Sequence, residues 1–147
     1  MILYDERDIN WMGVIMVVKN ALILKLKINL NDSIKVESQD KTIVQILFDG
    51  DASGEYFNGR IMPGGVDTQE IYPDGSGSLS ARYCIAGIDC EGQECKIYIS
   101  NTAKLNDSRT VPTIVTDSKA LDFLNNAKLR GEIVWISGQM YINIYAD

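Results

Sequence analysis

The sequence predicts an all-β, mainly antiparallel protein, in which residues 1–147 form one domain: a single closed or nearly closed barrel of about eight to ten strands. Three observations predict this fold. Apolar residues alternate with polar ones along most of the chain, as half-buried strands require. Clusters of Gly, Pro, Asn, Asp and Ser separate the alternating segments. Helical periodicity is confined to one short segment, and no linker or internal repeat divides the chain.

The strand at 21–30 shows the alternation most clearly. Leucine or isoleucine occupies every second position, while Lys25, Lys27 and Asn29 point to the opposite face. Long strands of this kind would leave an unpaired edge in an open sheet, so we expect the sheet to close on itself. In chain order, the predicted strands cover residues 13–18, 21–30, 42–48, 56–62, 66–72, 79–86, 96–101, 109–115, 132–137 and 139–146.

One segment, residues 117–128, predicts a short α-helix. Asp117 or Ser118 can cap its N-terminus, and Gly131 follows its end. A lone amphipathic helix in a chain of strands must bury its apolar side against the sheet, so we expect it to cover an end or edge of the barrel. The apolar residues at helical spacing are Ala120, Leu121, Leu124 and Ala127.

Composition argues against several classes of function. The chain has 14 Lys and Arg against 20 Asp and Glu, and its net charge of −6 comes without the basic run that nucleic acid binding needs. It contains no histidine, the commonest general base and a frequent zinc ligand. Lysines interrupt the most hydrophobic stretch, 14–30, so no membrane-spanning helix is predicted. Since no secretory signal is recognisable, we expect a cytoplasmic protein. We also expect no metal and no cofactor.

Three cysteines offer no zinc-binding pattern. Cys84, Cys90 and Cys95 are six and five residues apart and include no Cys-x-x-Cys pair. We interpret them as structural or incidental thiols. A Cys90–Cys95 disulfide is the alternative, which a reducing compartment disfavours.

A candidate polar site follows from the predicted register of one hairpin. If Tyr72 pairs with Leu79 across a six-residue loop, Gln69 lies opposite Arg82. The next hairpin then extends the cluster, whose members are Asp67, Gln69, Arg82, Tyr98 and Ser100. Two interpretations remain open. The cluster is either a solvated outer face, or a barrel lumen in which Arg82, held by Asp67, binds an anionic group.

A glycine-rich segment lies just before this hairpin. Pro63-Gly64-Gly65 predicts a tight bend or barrel corner, because paired glycines permit positive φ and close backbone approach. The segment lacks the lysine and the following helix of a phosphate-binding loop.

Several short motifs punctuate the chain, and the most specific is Gly64-Gly65-x-Asp67 followed by Ala81-Arg82-Tyr83. The others are Phe57-x-Gly59-x-Ile61, Asp89-x-x-Gly92 leading to Ile97-x-Ile99, Pro112-Thr113, and Leu124-Asn125 with Tyr145. Together they resemble the domain-of-unknown-function family 3237. The resemblance implies a small, single-domain antiparallel β-barrel with no agreed activity. It also implies that Gly64, Gly65, Asp67, Arg82 and Tyr83 are motif positions.

Three functional hypotheses follow. The first is a binding module that holds one small organic ligand in the barrel, by means of the polar cluster. The second is a cofactor-free isomerase, cyclase or lyase, with Asp67 as base, Tyr83 or Tyr98 as acid, and Arg82 stabilising anionic charge. The third is a structural or assembly role, in which a homo-oligomer would form through sheet surfaces, since the chain has no heptad pattern.

Overall fold

The structure is a computed structural model that describes the backbone of residues 9–12 and 15–18, and both backbone and side chains of residues 20–147. The predicted strand 13–18 falls partly outside the described residues. Within them, no helix is long and apolar enough to cross a membrane. The strands are β1 (Ile9–Met12), β2 (Ile15–Val18), β3 (Leu22–Glu37), β4 (Thr42–Ser53), β5 (Phe57–Ile61), β6 (Val66–Ile71), β7 (Gly77–Asp89), β8 (Glu94–Lys104), β9 (Arg109–Thr116), β10 (Leu129–Ile136) and β11 (Gln139–Ala146).

Strands β3 to β11 form a closed antiparallel barrel with eight positions around its wall. Each barrel strand pairs with the next one in chain order, except that β5 and β6 each pair with β4 and β7 and not with each other; β11 pairs with β3 to close the ring. Strands β5 and β6 share one position between β4 and β7: Arg60 lies opposite Asp51 on β4, and further along Asp67 lies opposite Ile46. The predicted fold class is therefore confirmed. Strands β1 and β2 form a separate two-stranded sheet.

The bend between β5 and β6 occurs at the paired glycines. Gly64 has a φ of 106°, in the left-handed region that favours glycine. Gly65 lies so close to β4 that a Cβ there would come within 2.9 Å of the Phe48 carbonyl oxygen. The Phe48 amide donates a hydrogen bond to the Gly65 carbonyl at 3.1 Å. The predicted tight bend at this segment is confirmed.

The interior of the barrel is filled by the inward members of the alternating strands. On β3 these are Leu24, Leu26 and Ile28, each at most 3% exposed. One end of the barrel, here called the closed end, is plugged by residues 120–124, of which Leu121, Phe123 and Leu124 belong to the core. The ring of Phe123 packs edge-on against Tyr56, with the centroids 6.1 Å apart.

The predicted α-helix at 117–128 is wrong in type and length. Within the described residues this segment contains a single 3-10 helix, Asp122–Asn126. Bonds between the Asn125 side chain and the backbone of β9 compete with a longer run of helical hydrogen bonds. The Asn125 carboxamide oxygen accepts from the Thr116 amide at 2.7 Å, and its nitrogen donates to the Thr116 carbonyl at 3.2 Å. The Ser118 hydroxyl accepts from the Leu121 amide at 3.1 Å, which is the capping bond expected of this residue. The expectation that this segment covers an end of the barrel is confirmed.

The predicted register of the β6–β7 hairpin is also wrong. The Tyr72 amide donates to the carbonyl of Ser76 at 2.8 Å, so Tyr72 faces Ser76 rather than Leu79, a shift of three residues. The turn is tighter than predicted because Gly75 adopts a φ of 87°. Side chains of a strand alternate between the two faces of the sheet. A register shift of three residues, an odd number, therefore puts on opposite faces the residues of β6 and β7 that the predicted register put on the same face.

Candidate functional site

A cavity of about 420 Å³ occupies the end of the barrel opposite residues 120–124, here called the mouth. Its wall consists of inward side chains from six strands and of the loop that joins β8 to β9. The apolar members are Leu30, Ile46, Leu79, Leu105, Ile133, Trp135 and Met140. The polar members are Asp67, Gln69, Asn106, Asp107 and Ser108.

Asp67 reaches this cavity because of the register of β6. It lies opposite Ile46 on β4 and Ala81 on β7, both of which face the interior. Gln69 follows on the same face, and its amide nitrogen donates to Asp67 Oδ2 at 3.1 Å. Asp67 Oδ1 is buried and has no hydrogen-bond partner among the described residues. Burial raises the pKa of Asp67, and the Gln69 hydrogen bond offsets only part of that effect.

Two more polar side chains share this inner face. Asn101 lies opposite Ala81, and Tyr83 is the next inward residue along β7. They are 1% and 2% exposed, and Asn101 Oδ1 and the Tyr83 hydroxyl lack partners within the described part of the chain. Burial raises the pKa of the Tyr83 hydroxyl. Buried polar atoms are nearly always hydrogen-bonded, and neither Asn101 nor Tyr83 belongs to the lining of the cavity.

The predicted five-residue cluster is divided between the two faces of the barrel wall. Asp67 and Gln69 lie inside, whereas Arg82 is exposed on the outer face, opposite Ser100. Tyr98, 41% exposed, lies beside them on that outer face. The predicted proximity of Arg82 to Tyr98 and Ser100 is thus confirmed. The predicted Asp67–Arg82 ion pair is wrong, because the shifted register separates the two side chains by the thickness of the sheet.

The charge of the side chains that line the mouth is therefore negative. Its described lining includes two carboxylates and no lysine or arginine. Asp107 accepts hydrogen bonds from the Arg109 amide at 3.0 Å and from Arg109 Nε at 3.3 Å, and these lower the pKa of Asp107. Asp67 has no such cation, since its side-chain partner is the neutral amide of Gln69.

Sequence reasoning did not name Asn101, and it gave Trp135 only as one of many core or pocket-lining aromatics without a position in the cavity. Both could have been found by extending the alternation: Ile97 and Ile99 face inward, so Asn101 must do so as well. Trp135 has the same parity as Leu129 and Gly131, and at the end of β10 this places it at the rim of the mouth. The loop residues 105–108 carried no signal, because a turn has no periodicity that fixes the direction of its side chains.

A second buried carboxylate, Asp89, lies at the closed end of the barrel. Unlike Asp67, it has hydrogen-bond partners on both oxygens. Its Oδ2 accepts from the Ser118 hydroxyl at 2.7 Å, and its Oδ1 accepts from the amides of Glu91 and Gln93 at 2.9 and 3.1 Å. Burial by itself would raise the pKa of Asp89, but these hydrogen bonds lower it below its ordinary value. Both oxygens are paired, so Asp89 has a structural role.

The cysteines show no sign of a metal centre. All three are free thiols, and the alternative Cys90–Cys95 disulfide is absent. Among the residues from 20 onward, no three His, Cys, Asp or Glu side chains are arranged to hold a metal ion.

An eight-stranded antiparallel barrel with a cavity at one end and a plugged opposite end places the chain among the small β-barrels. The chain belongs to the family described as "Protein of unknown function (DUF3237)", whose sequence model matches residues 18–108.

Two bacteria provide related proteins. A UPF0311 protein of Clostridium acetobutylicum is 46% identical over 66 residues, which cover 45% of this chain but only 37% of that relative. A crystal structure of a protein with unknown function from the same organism matches with a TM-score of 0.73 and 25% identity, covering 87% of this chain and 95% of the other. A Rhodopseudomonas palustris protein of unknown function matches with a TM-score of 0.71 over 87% and 96% of the two chains; at 18% identity it shows the fold alone.

Proposed function

We propose that the protein binds one compact organic molecule in the mouth of the barrel, with Asp67 as its main polar contact. The observation that carries this proposal is the buried, unpartnered Asp67 Oδ1 in the wall of the cavity. An unpaired buried acceptor destabilises a protein by about 1–3 kcal/mol, so its retention needs a reason beyond folding. A ligand that donates a hydrogen bond to this oxygen supplies that reason.

The size and lining of the cavity support the proposal. Its volume of about 420 Å³ lies within the range of roughly 300–1,000 Å³ that is typical of small-molecule sites. The apolar residues of the lining, among them Leu30 and Trp135, would bury the body of a ligand. Asp67 and Gln69 on one side of the cavity would fix its orientation.

The expected charge of the ligand changes with the position of Arg82. An anionic ligand is one of the alternatives that the sequence leaves open, and it requires Arg82 to lie in the lumen beside Asp67. With Arg82 on the outer face and Asp67 inside, the wall would repel an anion. A neutral or cationic ligand fits the mouth better.

Native mass spectrometry of freshly purified protein tests the proposal. We expect a retained small molecule that dissociates on denaturation, with its Kd raised at least tenfold in Asp67→Asn, a loss of about 1.4 kcal/mol of binding free energy that lowers its occupancy. Arg82→Gln is the matched control, because it changes a charge on the outer face of the next strand and should leave occupancy unchanged. Equal occupancy in Asp67→Asn and the parent, or loss confined to Arg82→Gln, would contradict the proposal.

A second candidate function is proton transfer to and from carbon, with Asp67 as the base. The observation that favours it is the desolvation that raises the pKa of Asp67, since catalytic carboxylates are tuned in this way. In such a step Asp67 would take a proton from a C–H bond of the ligand and return one from solvent. Incubating the protein and its retained ligand in D₂O tests this: deuterium in the ligand with the parent but not with Asp67→Asn supports it, and no incorporation refutes it.

A further inference from the structure

We infer that the ligand of the mouth is an organic ammonium ion: an amine carried on an apolar or aromatic body, with its cation against Asp67 and its body beside Trp135. This inference rests on the proposed binding function and assigns the chemical class of the ligand. It follows from three features of the described wall residues: their charge, their hydrogen-bonding polarity and the exposed indole at the rim.

The first feature is uncompensated negative charge. Of the two carboxylates in the described lining, Asp107 is held by Arg109, while Asp67 receives only the neutral donor of Gln69. A hydroxyl on a neutral ligand could donate to Asp67 Oδ1 but would leave the charge unbalanced. An ammonium group supplies both a donor and the opposite charge, and in a partly desolvated site such hydrogen bonds are about twice as strong as neutral ones.

The second feature is that the donors available to an anion are all neutral. Gln69 gives one N–H to Asp67 and keeps a second, and Asn106 and Ser108 add further side-chain donors to the described lining. A bound carboxylate or phosphate would therefore meet a like charge, without a lysine or arginine in the described wall to offset it. Like-charge juxtaposition in such a site works against binding, so the wall selects against anions.

The third feature is Trp135. Its side chain is 59% exposed, although it lies on the inward-facing side of β10 and opposite Met140. A large aromatic surface left open beside an acidic cavity is suited to an organic cation, because the face of the indole ring attracts positive charge. Trp135 and Met140 together give a polarisable rim against which the body of an amine can pack.

Three probes of nearly equal shape test the inference: 2-phenylethylammonium, 2-phenylethanol and phenylacetate. Calorimetric titration is performed on the full chain at low salt and about pH 8, where carboxylates are ionised and a primary ammonium is largely retained. We expect 2-phenylethylammonium to bind at least tenfold more tightly than the alcohol, and phenylacetate to bind most weakly. In Asp67→Asn the preference for the ammonium should fall to within about twofold of the alcohol, which corresponds to about 0.4 kcal/mol.

Asp49→Asn is the matched control. Asp49 is an exposed carboxylate that accepts hydrogen bonds from Asn29 and Asn31 on the outside of the barrel. It has the same charge as Asp67 and lies outside the cavity lining. If the ammonium preference fell equally in both variants, net charge rather than the site would explain it and the inference would be overturned.

The remaining outcomes separate this inference from the proposed function. Binding of the alcohol or phenylacetate as tightly as the ammonium would overturn the ammonium class and leave small-molecule binding intact. If no probe binds but the protein retains a ligand in native mass spectrometry, the mass and charge of that ligand decide: an amine supports the inference and any other compound refutes it. No probe bound and no retained ligand would overturn both proposals.

Discussion

Asp67 places a carboxylate where folding alone favours a neutral side chain. Its environment disfavours the ionised form, so its pKa in the folded chain is raised. Between the ordinary and the raised pKa, the folded state binds more protons than the unfolded state. The contribution of Asp67 to stability is therefore fully present below the unfolded pKa and is lost as the pH rises through the folded pKa. Retaining such a residue is typical of binding and catalytic sites.

Asp67→Asn should therefore stabilise the protein at neutral pH. We expect a gain of about 0.5–2 kcal/mol in the free energy of unfolding at pH 7. The gain should vanish near pH 3, below the ordinary pKa of about 3.9, where Asp67 is protonated in both states. Urea denaturation at the two pH values measures it. Asp49→Asn provides the comparison and should give no gain, because hydrogen bonds from Asn31 and Asn29 lower the pKa of Asp49. A destabilised Asp67→Asn at pH 7 would contradict this account of the site.

At the scale of elements, the link between the β7–β8 turn and the segment that plugs the closed end depends on Ser118. Its hydroxyl donates to Asp89 Oδ2 and accepts from the Leu121 amide, and its own amide donates to Thr116 Oγ1 at 3.2 Å. Since hydrogen bonds lower the pKa of Asp89, its ionised form stabilises the fold. That stability is present above the unfolded pKa and is lost as the pH falls through the lowered folded pKa.

Ser118→Ala should destabilise the protein by about 1.5–3 kcal/mol, because it removes a hydrogen bond to a buried charged group and leaves the Leu121 amide unpaired. Ser76→Ala is the matched substitution in an exposed turn, where the Ser76 hydroxyl donates to Asp74. It should change stability by no more than about 0.5 kcal/mol. Chemical denaturation of both variants at pH 7 makes the comparison. Equal effects would show that the Asp89 network does not join these two elements.

The bend between β5 and β6 gives a second test of an element. A Cβ at Gly65 would press on the Phe48 backbone, whereas a Cβ at Gly64 would meet nothing within 4 Å. Phe48 packs edge-on against Tyr83 with the centroids 5.1 Å apart, so displacement of β4 would disturb that aromatic pair. Gly65→Ala should cost about 1–3 kcal/mol through overpacking.

Near-ultraviolet circular dichroism distinguishes the two glycines. Gly65→Ala should alter the aromatic signal, because it moves Phe48 against Tyr83. Gly64→Ala should destabilise the protein through its positive φ while leaving that signal unchanged. An unchanged spectrum in Gly65→Ala would show that the close approach of the two strands does not hold the aromatic pair in place.

Hairpin register shows where sequence reasoning reached its limit. The alternation correctly separated Arg82 and Ser100 from Tyr83 and Ile99 onto opposite faces of the sheet, but it left open which face is the lumen. It could not determine the turn at 72–76, because the length of a turn depends on a local backbone choice at Gly75 that the pattern of the strands does not encode. That one turn decided whether Asp67 shares a face with Arg82 or with Tyr83.

For the whole molecule, the fold was more predictable than the site. Alternation extends over whole strands, so the prediction of a closed antiparallel barrel tolerated errors such as the end of β3, placed at residue 30 but observed at Glu37. The helix predicted at 117–128 was wrong although the Ser118 capping bond forms, because hydrogen bonds between the Asn125 carboxamide and the Thr116 backbone tie the segment to β9. A site needs side chains from several strands in register, and each uncertain turn multiplies the possible arrangements.

Closure of the barrel also determines where a ligand can enter. Residues 120–124 fill one end with Leu121, Phe123 and Leu124, while the other end is lined by side chains that are only partly buried. The mouth is thus the accessible end of an otherwise packed interior. Its acidic wall and its exposed Trp135 distinguish it from the outer face that carries Arg82 and Tyr98.

Ligands that enter the mouth should contact Asp67 and leave the outer face of the barrel free. Two-dimensional ¹H–¹⁵N NMR during titration with 2-phenylethylammonium and with 2-phenylethanol measures where they bind. We expect the amides of Asp67, Gln69 and Trp135, with those of the loop at 105–108, to shift most and to saturate together. Shifts confined to the outward residues Arg82, Tyr98 and Ser100, or an absence of shifts at Asp67 and Gln69, would show that ligands do not bind in the mouth.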